Sequence, residues 1–245
     1  MSIGKADTSV SFKTDGSIVT DADRAAEETI MAILEHAFPD LTAIGEERAS
    51  MPGGLPSNIT DAYFLVDALD GTTIFAGGGS DFTVNIAYIE NGALICGLIY
   101  APKHGELFWG TDQGAFKALR SEAFAVDHQI WVDPRVEVPR IVVSGSRDMD
   151  RVNEFVAMTG GVLEHVGASL KYCRIAEGKA DVYPCFGPTK EWDTAAGHAI
   201  LLAAGGTLCL LDGGDLTYGK GDRTTEAGFL NPPFYASSSA QLLEF

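Results

Sequence analysis

The chain has 245 residues, of which 34 are acidic and 17 basic, giving a net charge of −17. That balance excludes a nucleic-acid polymer as partner, because such binding is driven by basic surface. Hydrophobic residues make up 46% and charged residues 21%, which excludes a disordered chain and fits a globular protein. In chain order, residues 20–37 predict a helix. Ala26, Ile30, Ile33, Leu34 and Ala37 keep the helical period, Thr20 fits the N-cap, and Pro39 lies just past the end. Residues 51–60 (MPGGLPSNIT) read as a loop. AYFLVD (62–67) reads as a buried strand ending in an acid, with a long loop, DALDGTTIFAGGGSDF, after it. TVNIAYIE (83–90) and ALICGLIY (93–100) are strands joined by Asn91-Gly92, a strong hairpin signal. ELFWG and GAFKA predict two more strands, and residues 121–139, with Pro134 and Pro139, read as a boundary.

Past the boundary the pattern alternates. Strands are expected at RIVVS (140–144), GVLEHV and DVYPC, and helices at 148–158, 169–177 and 193–204, the last closed by Gly205-Gly206. Antiparallel strands followed by alternating strands and helices suggest a layered α/β protein with two subdomains. The expected division is residues 1–138 and 139–245. Cys96, Cys173, Cys185 and Cys209 form no CxxC pair and read as reduced core thiols. The N-terminus has no signal-like apolar run, and the most apolar stretch, 199–211, is broken by Gly205-Gly206 and too short to span a bilayer. The expectation is a cytoplasmic protein with no transmembrane segment.

Three acidic groups carry candidate chemistry: Glu46-Glu47 in a loop, Asp67-Ala68-Leu69-Asp70-Gly71-Thr72 after the buried strand, and Asp193 opening a helix. Each has a plain structural reading: a solvated pair, a turn at Asp70-Gly71, and a helix cap at Asp193. Asp23, three residues after Thr20, fits a variant capping box. Asp67, however, leaves a strand of Phe64, Leu65 and Val66, and a buried carboxylate is costly unless it is paired or metal-bound. Asp67 and Asp70 can converge on one point with the Leu69 carbonyl between them, and hard oxygen donors suit magnesium better than zinc. There is no P-loop, and Gly77-Gly78-Gly79 reads as a flexible loop. Ser169 and Lys171 in GASLK, at a helix start, and Ser144 and Arg147, after RIVVS, are candidate phosphate contacts.

G-E-E, then D-x-L-D-G-T, then W-D-x-A-A-G, in that order, resembles the signature set of the inositol monophosphatase superfamily. The resemblance runs from about Phe12 to near the C-terminus. DFTVNIAYIENG, GLIYAPKHGELFWG, GASLKYCRIAEGKADVYPCFGPTKEWDTAAGHA and FLNPPF are most similar to its bacterial bisphosphate-nucleotidase branch. The resemblance implies an α+β fold, a layered αβαβα sandwich of the inositol monophosphatase/fructose-1,6-bisphosphatase type. It implies Mg2+ as cofactor: one ion at Glu46, Asp67 and the Leu69 carbonyl, a second at Asp67, Asp70 and Asp193, and a third, weaker one placed through water by Glu46. Asp23 and Thr72 would activate water, with Glu46 and Asp67 also in the catalytic set. Gly71 and Thr72 N–H groups would hold the phosphate, and Ser144, Arg147, Ser169, Lys171 and Asp193 would contact substrate. The implied partner is a small phosphorylated metabolite, adenosine 3′,5′-bisphosphate first and inositol, polyol or histidinol phosphates as alternatives; a non-catalytic regulator on the same fold is a further reading. A homodimer is the family expectation. Two departures stand out: Ala68 replaces the family's usual proline, and Thr73-Ile74 replaces the branch's usual Lys-Glu.

Overall fold

The computed structural model describes residues 10–12, 18–145, 148–219 and 221–243. β1 (Val10–Phe12) and β2 (Ile18–Thr20) pair antiparallel and lead into α1 (Asp21–Ala37). β3 (Thr42–Gly45), the one-turn α2 (Glu46–Ala49), β4 (Ala62–Asp70) and the short α3 (Thr72–Ala76) follow. A meander of β5 (Thr83–Glu90), β6 (Ala93–Ala101), β7 (Glu106–Thr111), β8 (Gly114–Leu119) and β9 (His128–Ile130) completes a seven-stranded sheet in chain order from β3 to β9. β3 runs parallel to β4, and every later neighbour is antiparallel.

The second half contributes β10 (Arg140–Val143), α4 (Met149–Thr159), β11 (Val162–His165), α5 (Leu170–Ala176), β12 (Val182–Cys185), β13 (Thr189–Lys190), α6 (Glu191–Ala203), β14 (Thr207–Leu210), β15 (Leu230–Asn231) and β16 (Phe234–Ser237). β11, β10, β12, β16 and β14 form a five-stranded sheet in that order, and β13 pairs with β15.

Three apolar clusters define the layers. Met31 of α1 packs with Val66 and Ala68 beneath the large sheet. Phe155 of α4 packs with Ile141 and Val182 beneath the small one. The largest cluster joins both sheets through α5 and α6, with Trp192, Tyr172, Phe108 and Phe234 buried in it. The result is an αβαβα sandwich, as the resemblance implies. α6 comes close to the large sheet because β6 and β7 carry glycines beneath it. A Cβ on Gly97 would stand 2.3 Å from the Ala196 carbonyl oxygen, and one on Gly110 2.6 Å from Ile200 Cα. Among the described residues no helix is long and apolar enough to cross a membrane.

Several local expectations need correction. Glu46-Glu47 opens α2 rather than lying in a loop. The strand at 62–67 continues to Asp70 and is followed directly by α3, so the expected long loop is mostly ordered backbone. The three glycines at 77–79 form hydrogen-bonded turns on α3: Gly77, Gly78 and Gly79 N–H donate to Thr73, Phe75 and Ile74 carbonyls at 3.0, 2.9 and 2.8 Å. Residues 128–130, inside the expected boundary, add β9 to the sheet. α6 begins at Glu191 with Lys190 as its cap, so Asp193 is the third helical residue, not the cap.

Candidate active site

A cleft of about 750 Å³ opens between the two sheets. One wall carries Glu46, Asp67, Asp70 and Asp193; the facing wall carries Ser144, Lys171 and Phe186. Three elements, α2, β4 and α6, deliver the four carboxylates, and each is aimed by a local device.

The first device is a β-bulge. Asp67 pairs with Asn85 and Asp70 with Thr83, so three steps on β4 match two on β5. Residues three apart on a regular strand point to opposite faces. The extra residue re-aims the chain so that both aspartates line the same cleft. Gly71 follows at φ +90°, a left-handed conformation that disfavours any residue with a Cβ. It turns the chain into α3 and places Thr72 at the cleft wall.

The second device is the start of α6. Asp193 Oδ2 accepts the Lys190 N–H at 2.7 Å, which caps the helix from its third residue. The third is α2, whose first residue is Glu46. One oxygen each from Glu46, Asp67 and Asp193 lies within 4.8 Å of the others. Asp67 is only 2% exposed, and its Oδ1 accepts the Leu69 N–H at 3.0 Å. Burial first, then the charges of Glu46, Asp70 and Asp193, push its carboxyl well above the usual range. Burial, Glu46 and Asp70 do the same to Asp193. Carboxylates packed this way repel one another unless a cation lies among them. The donor set, hard oxygens with no His or Cys, fits magnesium.

Asp70 is held differently. Its Oδ2 accepts from Ser169 Oγ at 2.7 Å and Asn85 Nδ2 at 3.3 Å. Ser169 Oγ also lies 2.9 Å from the Asp193 carbonyl and accepts from Asn85 Nδ2 at 3.0 Å. Ser169, expected as a substrate contact, lines the cleft but is engaged by its neighbours. Its side chain is 1% exposed, and its hydroxyl ties Asp70 to the start of α6.

Beside the acidic wall, Thr72 Oγ1 donates to Asp23 Oδ1 at 2.8 Å and lies 3.1 Å from the Leu69 carbonyl. Asp23 Oδ2 accepts from Thr20 N at 2.9 Å and Thr20 Oγ1 at 2.5 Å. The two readings of Asp23 therefore coexist: one oxygen caps α1 and the other faces Thr72. Across the cleft, Lys171 Nζ donates to Ser144 Oγ and the Ala168 carbonyl and sits 4.7 Å from the Tyr183 ring centre. Burial pulls its pKa below that of an ordinary lysine, against the opposing pull of Asp70. Arg147 lies outside the described residues.

Two residues absent from the sequence reading support the site. Asn85 joins Asp70 to Ser169. Glu27, 1% exposed on α1, accepts the Glu47 and Arg48 N–H groups at 2.7 and 2.8 Å. Both had a signal. Asn85 is a polar residue in phase with the buried face of TVNIAYIE, and Glu27 stands one helical turn after Asp23 on the stripe that leads to Met31.

Comparison with known proteins agrees with this architecture. A model described as the inositol monophosphatase family matches residues 3–242. The 3′(2′),5′-bisphosphate nucleotidase CysQ of Buchnera aphidicola is 40% identical over 230 residues, 94% of this chain and 83% of that protein. The crystal structure of CysQ from Bacteroides thetaiotaomicron superposes with a TM-score of 0.71 at 33% identity, covering 88% of this chain and 82% of that one. An inositol monophosphatase/NADP phosphatase complexed with Mg2+ and phosphate superposes at 0.76 with 20% identity, covering 97% of this chain and 85% of that one, and speaks to the fold alone.

Proposed function

The chain belongs to the inositol monophosphatase family, and we propose that it is a magnesium-dependent phosphomonoesterase that removes the 3′-phosphate of adenosine 3′,5′-bisphosphate. The observation that carries the reading is the convergence of Glu46, Asp67 and Asp193 beside the Thr72–Asp23 hydrogen bond. A binding protein needs the first feature but not the second.

Glu46, Asp67 and the Leu69 carbonyl would hold one Mg2+; Asp67, Asp70 and Asp193 would hold a second; Glu46 would place a third, weaker one through water. When bound, the metal supplies positive charge to the phosphoryl group and lowers the pKa of water. The protein's own groups do the rest. Thr72 Oγ1 gives its hydrogen to Asp23 and so keeps its lone pairs for the proton of the attacking water. As the water oxygen bonds to phosphorus, its proton passes to Thr72, and the Thr72 proton passes to Asp23. The P–O ester bond breaks, and the departing oxygen takes a proton from solvent. Gly71 and Thr72 N–H groups hold the phosphate as charge builds on it.

The facing wall supports a nucleotide over a polyol. Lys171 and Ser144 offer a charge-assisted site for a second phosphate. Val143, Val152, Pro184 and Phe186 give the same cleft an apolar flank that a polyhydroxylated ring does not need. We place the enzyme in the cytoplasm, where its four free cysteines stay reduced.

A phosphate-release panel with Mg2+ tests the reading, using adenosine 3′,5′-bisphosphate, inositol 1-phosphate, fructose 1,6-bisphosphate and histidinol phosphate. The bisphosphonucleotide is expected to give the highest kcat/KM. Faster turnover of inositol 1-phosphate overturns the substrate assignment. No phosphate from any compound overturns the catalytic reading in favour of a regulator.

A further inference from the structure

We infer that Glu27 is a positioning residue for the metal site: its buried carboxylate fixes the turn that aims Glu46 into the cleft. The inference rests on the metal reading above, and it assigns a role to a side chain that touches no substrate and lines no part of the cleft.

A helix leaves its first N–H groups without partners inside the helix, and a one-turn helix such as α2 has little else. Such groups are commonly satisfied by a short polar side chain at the N-cap. Here the N-cap is Gly45, which has no side chain to offer. The acceptor comes instead from α1. Glu27 Oε2 takes the Glu47 N–H at 2.7 Å and Oε1 takes the Arg48 N–H at 2.8 Å. Both bonds are charge-assisted and shielded from water, since Glu27 is 1% exposed.

Gly45 follows from the same arrangement. A Cβ there would stand 2.4 Å from Glu27 Cδ and within 2.7 Å of both carboxylate oxygens. The residue before Glu46 is thus stripped of its side chain so that a carboxylate can lie against the turn. Glu46 sits between that glycine and the two clamped N–H groups. Its Cα–Cβ direction is set by the backbone they fix, and its oxygen comes within 4.8 Å of those of Asp67 and Asp193.

The placement on α1 adds a second argument. Asp23 and Glu27 are four apart, one above the other on the buried stripe. Asp23 receives the Thr72 hydroxyl, and Glu27 receives the turn that carries Glu46. One rigid helix therefore sets the relative position of the water-activating pair and a metal ligand, two parts whose geometry must hold to within about 0.5 Å for catalysis.

The test is calorimetric titration of the metal-free full chain with MgCl2 alone, without substrate, for wild type and Glu27→Gln. Glutamine keeps the volume but turns one acceptor into a donor facing an N–H. The dissociation constant for Mg2+ is expected to rise about ten- to a hundred-fold, while kcat and substrate KM at saturating Mg2+ change far less. Glu35→Gln, which removes only the exposed pair to Arg48, is the control and should leave the constant unmoved. A second route avoids dependence on one variant. Gly45→Ala should weaken Mg2+ binding in wild type, yet add nothing in a Glu27→Ala background where the space is vacant. Wild-type Mg2+ affinity in Glu27→Gln, or additive effects of the two alanine substitutions, overturns the positioning role and leaves the proposed function standing. A wild-type chain that binds no Mg2+ overturns the metal reading and this inference together.

Discussion

Replacing Asp67 with Asn separates the cost of the acidic cluster from its use. One oxygen of Asp67 lies within 4.8 Å of one from Glu46 and one from Asp193. At that separation, with an effective dielectric of about 20, each like-charge pair repels by about 3.5 kcal/mol. An asparagine removes two such repulsions, and its carbonyl oxygen can keep the Leu69 N–H bond. Protonation already relieves part of the strain in the native metal-free protein, because burial and the neighbours hold the Asp67 and Asp193 carboxyls above the ordinary 3.8. The net gain expected is therefore about 1–3 kcal/mol, a rise in metal-free Tm of about 2–4 °C per kcal/mol for a chain of this size. The pH dependence has a fixed sign. The folded metal-free state keeps protons that the unfolded chain has lost, so stability falls as pH rises from the unfolded carboxyl value through the raised native ones. Asp67→Asn should flatten that slope. With Mg2+ the order reverses: wild type gains about 2.7 kcal/mol at a hundred times its dissociation constant, and the variant gains almost nothing and releases no phosphate. Thermal melts in EDTA and in MgCl2, from pH 5 to 8, read all three effects. A metal-free Asp67→Asn protein that melts below wild type, or one that Mg2+ stabilises as well as wild type, refutes the reasoning.

Thr72→Val removes the hydroxyl that bonds Asp23; kcat should fall about 10²–10⁴-fold with Mg2+ affinity unchanged by calorimetry, and Thr72→Ser should retain most of the rate. Lys171→Met keeps a buried side chain of similar length but loses the cation; kcat/KM for adenosine 3′,5′-bisphosphate should drop about 10–100-fold, as for a lost charge-assisted hydrogen bond, with a much smaller change for substrates carrying one phosphate. Gly97→Ala forces a methyl to 2.3 Å from the Ala196 carbonyl oxygen; denaturant melts should show a loss of about 1–3 kcal/mol, and Mg2+ binding should weaken because α6 carries Asp193. Inorganic phosphate should bind only after Mg2+, since among the described residues four carboxylates and one lysine line the cleft; equal phosphate affinity in EDTA would contradict this order.

Much of the fold was legible where the signal is local. Asn91 and Gly92 take φ +52° and +76°, both positive as a two-residue hairpin turn requires, and the strands on either side follow the sequence pattern. The period of α1 and its Thr20 cap also read directly. Short strands such as β3 and β9 did not, because four or three residues cannot establish an alternation. Asp193 was misplaced for an instructive reason: aspartate is a preferred N-cap, but here it caps from the third helical position while its remaining oxygen faces the cleft. The bulge at Asp67–Asp70 left no mark in the sequence, since an extra residue in a ladder is visible only against the partner strand. Glu27 stands in phase with the buried stripe of α1, but its role was hidden, because the N–H groups it serves lie 20 and 21 residues along the chain. The carboxylates could be named from spacing and family resemblance. Of the groups that aim them, the Leu69 and Lys190 N–H are close in sequence, while Glu27, Asn85 and Ser169 are long-range and needed the fold.

That division has a physical origin. Glu46, Asp67, Asp70 and Asp193 come from α2, β4 and α6, and each is held by a different neighbour: Glu27 beneath the turn of Glu46, the Leu69 N–H on Asp67, Ser169 and Asn85 on Asp70, and the Lys190 N–H on Asp193. None of these supports is a lysine or arginine side chain. They orient the carboxylates with neutral dipoles or, for the turn of Glu46, with another acid, while Lys190 offsets part of the charge at Asp193 and Lys171 part of that at Asp70. The fold therefore keeps a cluster that is unfavourable alone, held by packing in three apolar layers, and on the function proposed above a divalent ion would supply positive charge there. Metal affinity and the stability of the whole sandwich are linked for that reason, and a substitution as remote from the cleft as Gly97→Ala acts on both.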